Sequence, residues 1–295
     1  MSVLIGGGRG FVGRHLQKVL REQGYKVTVI SRQTAKDQIT WSDVERNGLP
    51  KDCTAVVNVA GENILNPLKR YSDKNYVNEI WKSRVGTSQT LAKAIVEAER
   101  KPEVFVTMSG VGFYPPSKTA EYTEASEGGD DWIGKLATEW EKAGTLPDDI
   151  PTRRVLIRSG VILGRDGGMI QMLRPVVKLT GGQKIGSGDQ WLPWIHIDDM
   201  AGMITYAVKS DNVTGILNGV APDVVTNAEF TKAFASACNR PAFGFVPEFY
   251  MKFLYGPERA MVILEGQKVI PSRTLEVGYQ YKYPTIKEAS KELAS

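Results

Sequence analysis

The feature that most constrains this chain lies at its start, where three glycines spaced three apart stand between an apolar run and a helical pattern. Val3-Leu4-Ile5 reads as a short strand, and Gly6-Gly7-Gly8-Arg9-Gly10-Phe11-Val12-Gly13 follows it. Residues 11–23 then place Phe11, Leu16, Val19 and Leu20 on one helical face, with Gly24 as the stop. Gly7, Gly10 and Gly13 have the GxxGxxG spacing. Glycine serves there for a tight strand-to-helix turn, for close backbone approach to a pyrophosphate, and for close packing of helix on strand. Phe11 and Val12 open the helix, whose free N–H groups and positive dipole end suit an anion. Between a strand and a helix, such a string indicates a dinucleotide site.

The rest of the first half repeats strand and helix in turn. Residues 25–30, 55–59, 104–108 and 155–157 read as strands. The β-branched run at 55–59 has the composition of a buried parallel strand. Residues 81–100, with Leu91, Ile95 and Ala98 on one face, and residues 132–143 read as helices. This order predicts an α/β fold with a doubly wound parallel Rossmann sheet. After Gly164 the pattern changes. An apolar helical stretch at 169–179 lies between paired glycines, a strand is expected at 194–197 and a helix at 198–208, and Thr226 to Glu229 has capping-box spacing. We expect a cofactor-binding domain from residues 1–164 and 195–221. A smaller C-terminal substrate lobe is expected from 165–194 and 222–295.

The second strand ends Val29-Ile30-Ser31-Arg32, and no acid occurs until Asp37. NAD enzymes usually place Asp or Glu here for the ribose 2′-hydroxyl, whereas an arginine accommodates a 2′-phosphate. The Ser31 hydroxyl and the planar Arg32 fork suit phosphate. Two such bonds at roughly 1.5–3 kcal/mol each favour NADP over NAD on the order of 100-fold. NADP is the expected cofactor.

Composition excludes several other classes. A formal charge of +4 without a basic run argues against a nucleic-acid partner and suits a small anionic ligand. Cys53 and Cys238 form no CxxC pair, and His15 and His196 are the only histidines, so no metal is expected. No run of about 18 apolar residues occurs, so no membrane partner is expected. The strand pattern begins at Ser2, which predicts a cytoplasmic protein without a leader.

Several segments together resemble the extended short-chain dehydrogenases/reductases. They are Gly7-Gly8-Arg9-Gly10-Phe11-Val12-Gly13, the strand end Asn58-Val59-Ala60-Gly61, and Trp194-Ile195-His196-Ile197-Asp198-Asp199. Gly61-Glu62-Asn63-Ile64, Lys82-Ser83-Arg84, Ser159-Gly160-Val161-Ile162-Leu163-Gly164 and Leu264-Glu265-Gly266-Gln267-Lys268-Val269-Ile270-Pro271 resemble the atypical "epimerase family protein" subgroup. The likeness spans nearly the whole chain, and the 264–271 motif is its most specific part. It implies an NADP-binding domain in which Val59 and Ala60 line the adenosine side and Glu79, Arg84 and Val161 lie along the cofactor. Arg84 either contacts a phosphate or ribose, or pins its loop through Glu79. A homodimer through the two long helices is a further expectation.

The resemblance also implies a Tyr-x-x-x-Lys pair, in which lysine depresses the tyrosine pKa and tyrosine moves the proton. Here that spacing occurs only at Tyr114–Lys118 and Tyr283–Lys287, each with proline directly after the tyrosine, which disfavours the helical pair. Lys135 lies in the segment resembling the family's lysine-bearing helix, but Asp131 stands four residues before it. Asp131 is either a weak base or a helix cap. Ser109 matches the substrate-orienting position. Tyr114 either supplies a hydroxyl near the nicotinamide or is an ordinary loop aromatic. Gln190, Trp191 and Trp194 form either a substrate wall or lobe packing. His196 reads as a packed strand histidine, and Asp198 and Asp199 as caps of the next helix. The expected function is an NADP(H)-binding oxidoreductase or epimerase acting on a small carbonyl or sugar-like substrate. The alternative is a degenerate NADP(H)-binding sensor or scaffold without the relay.

Overall fold

The computed structural model describes residues 1–33, 35, 37–66, 69 and 73–295. Seven parallel strands form its central sheet: β1 (Ser2–Gly6), β2 (Lys26–Ser31), β3 (Gln38–Thr40), β4 (Ala55–Asn58), β5 (Val104–Gly110), β6 (Arg153–Ser159) and β7 (Gly215–Gly219). Their order is β7-β6-β5-β4-β1-β2-β3. The order reverses between β1 and β4, and a crevice outside the strand ends at such a point is where a doubly wound sheet takes its ligand.

The strands read as unbroken apolar runs because both faces are covered. Val3 and Ile5 of β1 join a core with Leu16 and Leu20 of helix Phe11–Glu22 and with Met200, Met203 and Ile204 of helix Ile197–Lys209. Leu4 points the other way, into a core with Val56, Phe105, Leu91 and Ile95. Each fully buried aliphatic side chain contributes about 1.5–3 kcal/mol, so the alternation along β1 fixes the sheet between two helical layers.

The helix expected at 81–100 differs from what forms. Helix Lys74–Trp81 begins earlier, capped by Asp73, whose side chain accepts from Asn75 N at 2.9 Å. It widens into a π-turn over Lys82–Gly86 and continues as helix Thr87–Glu97. Such widened turns carry one extra residue and often mark functional sites. This one carries Arg84.

A second core joins Ile170, Val177, Trp194, Phe230, Phe234, Ile286 and Leu293, and belongs to the smaller lobe. The division expected at 222–295 is not clean. Helix Ser272–Glu276 follows a crossing back to β7, where Thr274 Oγ1 donates to Asn218 O at 3.0 Å, and Tyr279 is buried in the first core. A large aromatic placed there gains more from the main core than from the small lobe. Among the described residues, no helix is long and apolar enough to cross a membrane.

Candidate cofactor site

The Gly-rich turn folds as its spacing requires. Gly7 has φ +78°, and a Cβ there would stand 2.6 Å from the Ala60 backbone, so the turn lies directly against the β4 end. A Cβ on Gly13 would stand 2.5 Å from Gly7 O and from Gly8 Cα, so helix and turn touch backbone to backbone. Gly10 is the N-cap of helix Phe11–Glu22 and offers no side-chain acceptor, and the first turn holds no acid. The leading N–H groups, those of Phe11 and Val12 among them, are therefore left to a ligand. The Phe11 ring itself packs on the Gly164–Gly168 turn and edge-on to His15, so Phe11 serves the site through its backbone.

At the end of β2, Ser31 is buried, and its hydroxyl donates to Gln33 O and accepts from Gln33 N at 3.1 Å. That hydroxyl shapes the turn rather than standing free for a phosphate. Arg32 is exposed, with no hydrogen bond or ion pair among the described residues. Arg9 is exposed in the same way, on the turn whose Gly8 abuts Val29 of β2. Two free guanidinium groups thus sit on neighbouring segments, and sequence reasoning had named only one of them.

Asn58 is buried at the end of β4 and donates to Thr87 Oγ1 and Ser88 Oγ, both at 3.1 Å, while accepting from Ala60 N at 3.2 Å. Its side chain is a tie between strand and helix that positions Val59 and Ala60, with Val59 N bonded to Gly6 O at 2.9 Å. Beyond Ala60 lies Arg84. A Cβ on Gly61 would stand 3.3 Å from Arg84 Cζ, and the guanidinium lies 5.1 Å from the Trp140 ring centroid. Arg84 is buried, and among the described residues its guanidinium makes one hydrogen bond, from Nη1 to Ile80 O at 3.4 Å, while its Nε has no partner. Burial pulls its pKa down to about 10. The Trp140 indole N–H also lacks an acceptor among the described residues. Glu79 does not hold Arg84. It is exposed and pairs with Lys69 at 2.7 Å. A buried cation with an unused donor beside Gly61, at the strand end on which the Gly-rich turn lies, is the donor set an anionic dinucleotide would complete. Val161 opens strand Val161–Gly164, its N bonded to Pro193 O at 2.7 Å.

The residues expected to carry chemistry are arranged differently. Asp131 is a helix cap, its carboxylate accepting from Gly134 N at 2.7 Å. Lys135 is exposed and unpaired among the described residues. Ser109 and Tyr114 are both buried and belong to one polar chain. Ser109 Oγ donates to Glu141 Oε1 at 2.7 Å, and Glu141 takes a two-point pair from Arg158 at 2.9 Å per bond. Arg158 Nη1 donates to the Tyr114 hydroxyl at 2.9 Å, which in turn donates to Asn218 Oδ1 at 2.8 Å. Burial opposes the Arg158 charge, but the Glu141 carboxylate prevails and holds its pKa above the ordinary value. Burial pushes the Tyr114 phenol up despite the Arg158 hydrogen bond. A relay tyrosine needs the opposite shift, so neither hydroxyl is free for a substrate in this arrangement.

Gln190 is buried, bonding to Ile185 O and Ile263 O, and Trp194 is buried with Nε1 on Asp223 O at 2.9 Å. Trp191 Nε1 bonds to Lys118 O at 2.9 Å. The two indoles thus serve packing at separate places rather than one wall. His196 is packed in its strand as expected, but it also caps the next helix through Nδ1 and meets Glu292 at 3.0 Å. Asp198 and Asp199 lie in the first turn instead of capping it. Asp199 accepts from the backbone N–H groups of Lys282 and Tyr283, tying the tail to the main domain.

Residues 3–132 match the NAD dependent epimerase/dehydratase family, and 246–293 match a domain of unknown function, DUF1731. The chain is 50% identical to the Epimerase family protein SDR39U1 of Bos taurus, covering 99% of both chains. It is a member of the epimerase family proteins. A crystal structure of the human epimerase family protein SDR39U1 with NADPH superposes with a TM-score of 0.97 at 48% identity, over 100% of this chain and 99% of that one. The Arabidopsis thaliana homologue, described as chloroplastic, is 35% identical over 98% of this chain and 85% of its own.

In this epimerase family protein the tail motif at 264–271 has a definite task. Gln267 Nε2 donates to Tyr114 O at 3.1 Å, Lys268–Val269 pairs with Glu121–Tyr122, and Ile270 O accepts from Asn218 Nδ2 at 2.9 Å. The motif clasps the loop that carries Tyr114. Sequence reasoning missed Glu141, Arg158 and Asn218. The available signal was Arg158 itself, a charged residue directly after Val155-Leu156-Ile157 in a buried strand, where a partner is obligatory.

Proposed function

We propose that this epimerase family protein binds NADPH in the crevice between β1 and β4 and holds it without a tyrosine proton relay. The carrying observation is Arg84, a buried guanidinium with an unused donor beside Gly61. The NADPH in the human relative's crystal supports the same reading. The Gly7–Gly13 turn and the helix N-terminus would take the pyrophosphate, Arg9 and Arg32 the 2′-phosphate, and Arg84 a further anionic or ribose oxygen. When bound, the cofactor would supply a hydride carrier. The chain's own contribution is to orient it and to shield it with the clasped Tyr114 loop. Fluorescence titration tests the binding: NADPH is expected at least about ten times tighter than NADH, with Arg32→Ala cutting the preference and Arg9→Ala combined with Arg32→Ala abolishing it. Equal affinities in the intact protein refute it.

Exposed, unpaired Lys135 favours a second reading, an oxidoreductase or epimerase acting on a small carbonyl or sugar-like substrate that brings its own acid–base group. Single-turnover NADPH oxidation against a carbonyl panel separates the two. Turnover lost in Lys135→Met establishes the second, and tight binding with no turnover on any member supports the first. A cytoplasmic site of action belongs to the same proposal, with an organelle as the alternative that the chloroplastic Arabidopsis thaliana homologue raises, and fractionation of the native protein separates them.

A further inference from the structure

One face of the smaller lobe is both apolar and basic. Helix Gly168–Thr180 ends near Leu179 and turns at Gly181, where a Cβ would stand 3.7 Å from Phe243. Strand Ala242–Val246 runs parallel beside Gly182–Ile185, with a bulge at Phe243 between the paired Ala242 and Gly244, and Phe243 and Phe245 are both exposed on it. Gly186 follows that ladder and abuts Glu248, the first residue of helix Glu248–Tyr255, on which Phe249 and Phe253 stand one turn apart. These five side chains are between 63% (Phe245) and 85% (Leu179) exposed. Scattered single exposures are ordinary, but five large apolar side chains exposed on adjoining segments form a ridge of the kind that marks an interaction surface.

The charge around this ridge is one-sided. Residues 168–184 and 239–254 hold Lys178, Lys184, Arg240 and Lys252 against a single acid, Glu248, a surplus of three, while Arg174 turns away to donate to Ala294 O and Ser295 O. A groove of about 620 Å³ opens beside Phe243, bordered by Lys184, Lys232 and Arg240 and by no carboxylate. The side chains of Lys178, Lys232, Arg240 and Lys252 make no hydrogen bond or ion pair among the described residues.

We propose that this face docks on an anionic lipid bilayer, with the phenylalanines entering the interfacial layer and the cations meeting headgroup phosphates. An apolar edge flanked by free lysines and arginines is the pattern of surface-bound proteins, which need no spanning segment. The absence of a long apolar run, which argued against a membrane partner, does not bear on this mode. A second copy fits less well, because a symmetric contact through the ridge sets the positive surplus against itself. Each cation near an anionic surface multiplies the partition about fivefold.

Co-sedimentation of the full chain with phosphatidylcholine vesicles, with and without phosphatidylglycerol, tests the proposal. Binding is expected to the anionic vesicles, weaker by at least about tenfold on the neutral ones and in high salt. The pair Phe249→Ser and Phe253→Ser, and separately Lys178→Glu and Lys252→Glu, should each lose about tenfold or more while the thermal midpoint stays unchanged, since all four side chains are exposed. No sedimentation with anionic vesicles overturns the proposal. So does equal binding to both vesicle types, or wild-type binding by both variants. A dimer seen by light scattering that the double serine variant converts to monomer, with no vesicle binding, overturns it in favour of a self-interface.

Discussion

Replacing Arg84 with methionine should move stability and affinity in opposite directions. The Arg84 guanidinium is buried, with one long backbone hydrogen bond and a Trp140 face for company. Burial lowers its pKa from the ordinary arginine value to about 10. At 1.36 kcal/mol per unit, that fall corresponds to a penalty of roughly 3 kcal/mol for keeping the charge inside. The sign follows from linkage: the folded pKa lies below the unfolded one, so the penalty is complete at any pH below about 10 and is relieved only above it. Methionine keeps most of the volume and removes the charge, and such replacements of buried charges are commonly neutral or stabilising by about 1–4 kcal/mol. Without ligand, Arg84→Met should therefore raise the melting temperature by about 2–5 °C. The same change deletes the donor proposed for the cofactor, at about 1.5–3 kcal/mol, so NADPH affinity should fall between about tenfold and 150-fold. Calorimetry on the ligand-free protein and a fluorescence titration read the two halves. A variant that melts several degrees lower and binds NADPH normally refutes the reasoning, because Arg84 would then be a structural pin.

Three further outcomes follow from the same geometry. Gly13→Ala gains about 1 kcal/mol of helix propensity, but its Cβ meets Gly7 O and Gly8 Cα at 2.5 Å. The backbone must shift, so net destabilisation of about 1–3 kcal/mol with at least a tenfold loss of NADPH affinity is expected by chemical denaturation and titration. Tyr114→Phe leaves Arg158 Nη1 and Asn218 Oδ1 short of a partner, which should cost about 1–3 kcal/mol of stability with unchanged NADPH affinity in the same two assays. Cys53 is buried, with its thiol pushed up to about 12, while Cys238 is half-buried. A thiol reagent at pH 8 should therefore label Cys238 in the native protein, and mass spectrometry should find Cys53 modified only after unfolding.

The cofactor half of the site was legible because its chemistry is local. The turn at Gly7–Gly13 is made by residues within one short segment, and Arg32 follows its strand directly, so spacing alone located both. Asp131 was legible as a cap for the same reason, since its acceptor role spans only three residues. The polar chain through Ser109, Glu141, Arg158, Tyr114 and Asn218 was not, because its links join residues 17 to 104 positions apart. Strand and helix periodicity says which face a residue occupies, not which distant face it meets. The π-turn at 82–86 was also hidden. Its extra residue shifts the helical phase, and Gly86, the one glycine in it, does not tell where that residue is inserted, so the start of that helix was placed too late. Helices Glu248–Tyr255 and Pro257–Leu264 were hidden for another reason. Their apolar residues are partly exposed, so they do not follow the period of a buried face.

The tail that crosses back between the lobes bears on how the molecule melts and how its parts evolve. Thr274 bonds to the end of β7, Tyr279 sits in the main core, and Asp199 takes two backbone N–H groups from the segment that then leads into helix Ile286–Ala294. Each lobe therefore contains a stretch of chain that the other needs. Neither half is a cassette that could be excised or exchanged intact. Heat should meet a single cooperative unit and produce one calorimetric transition, not two.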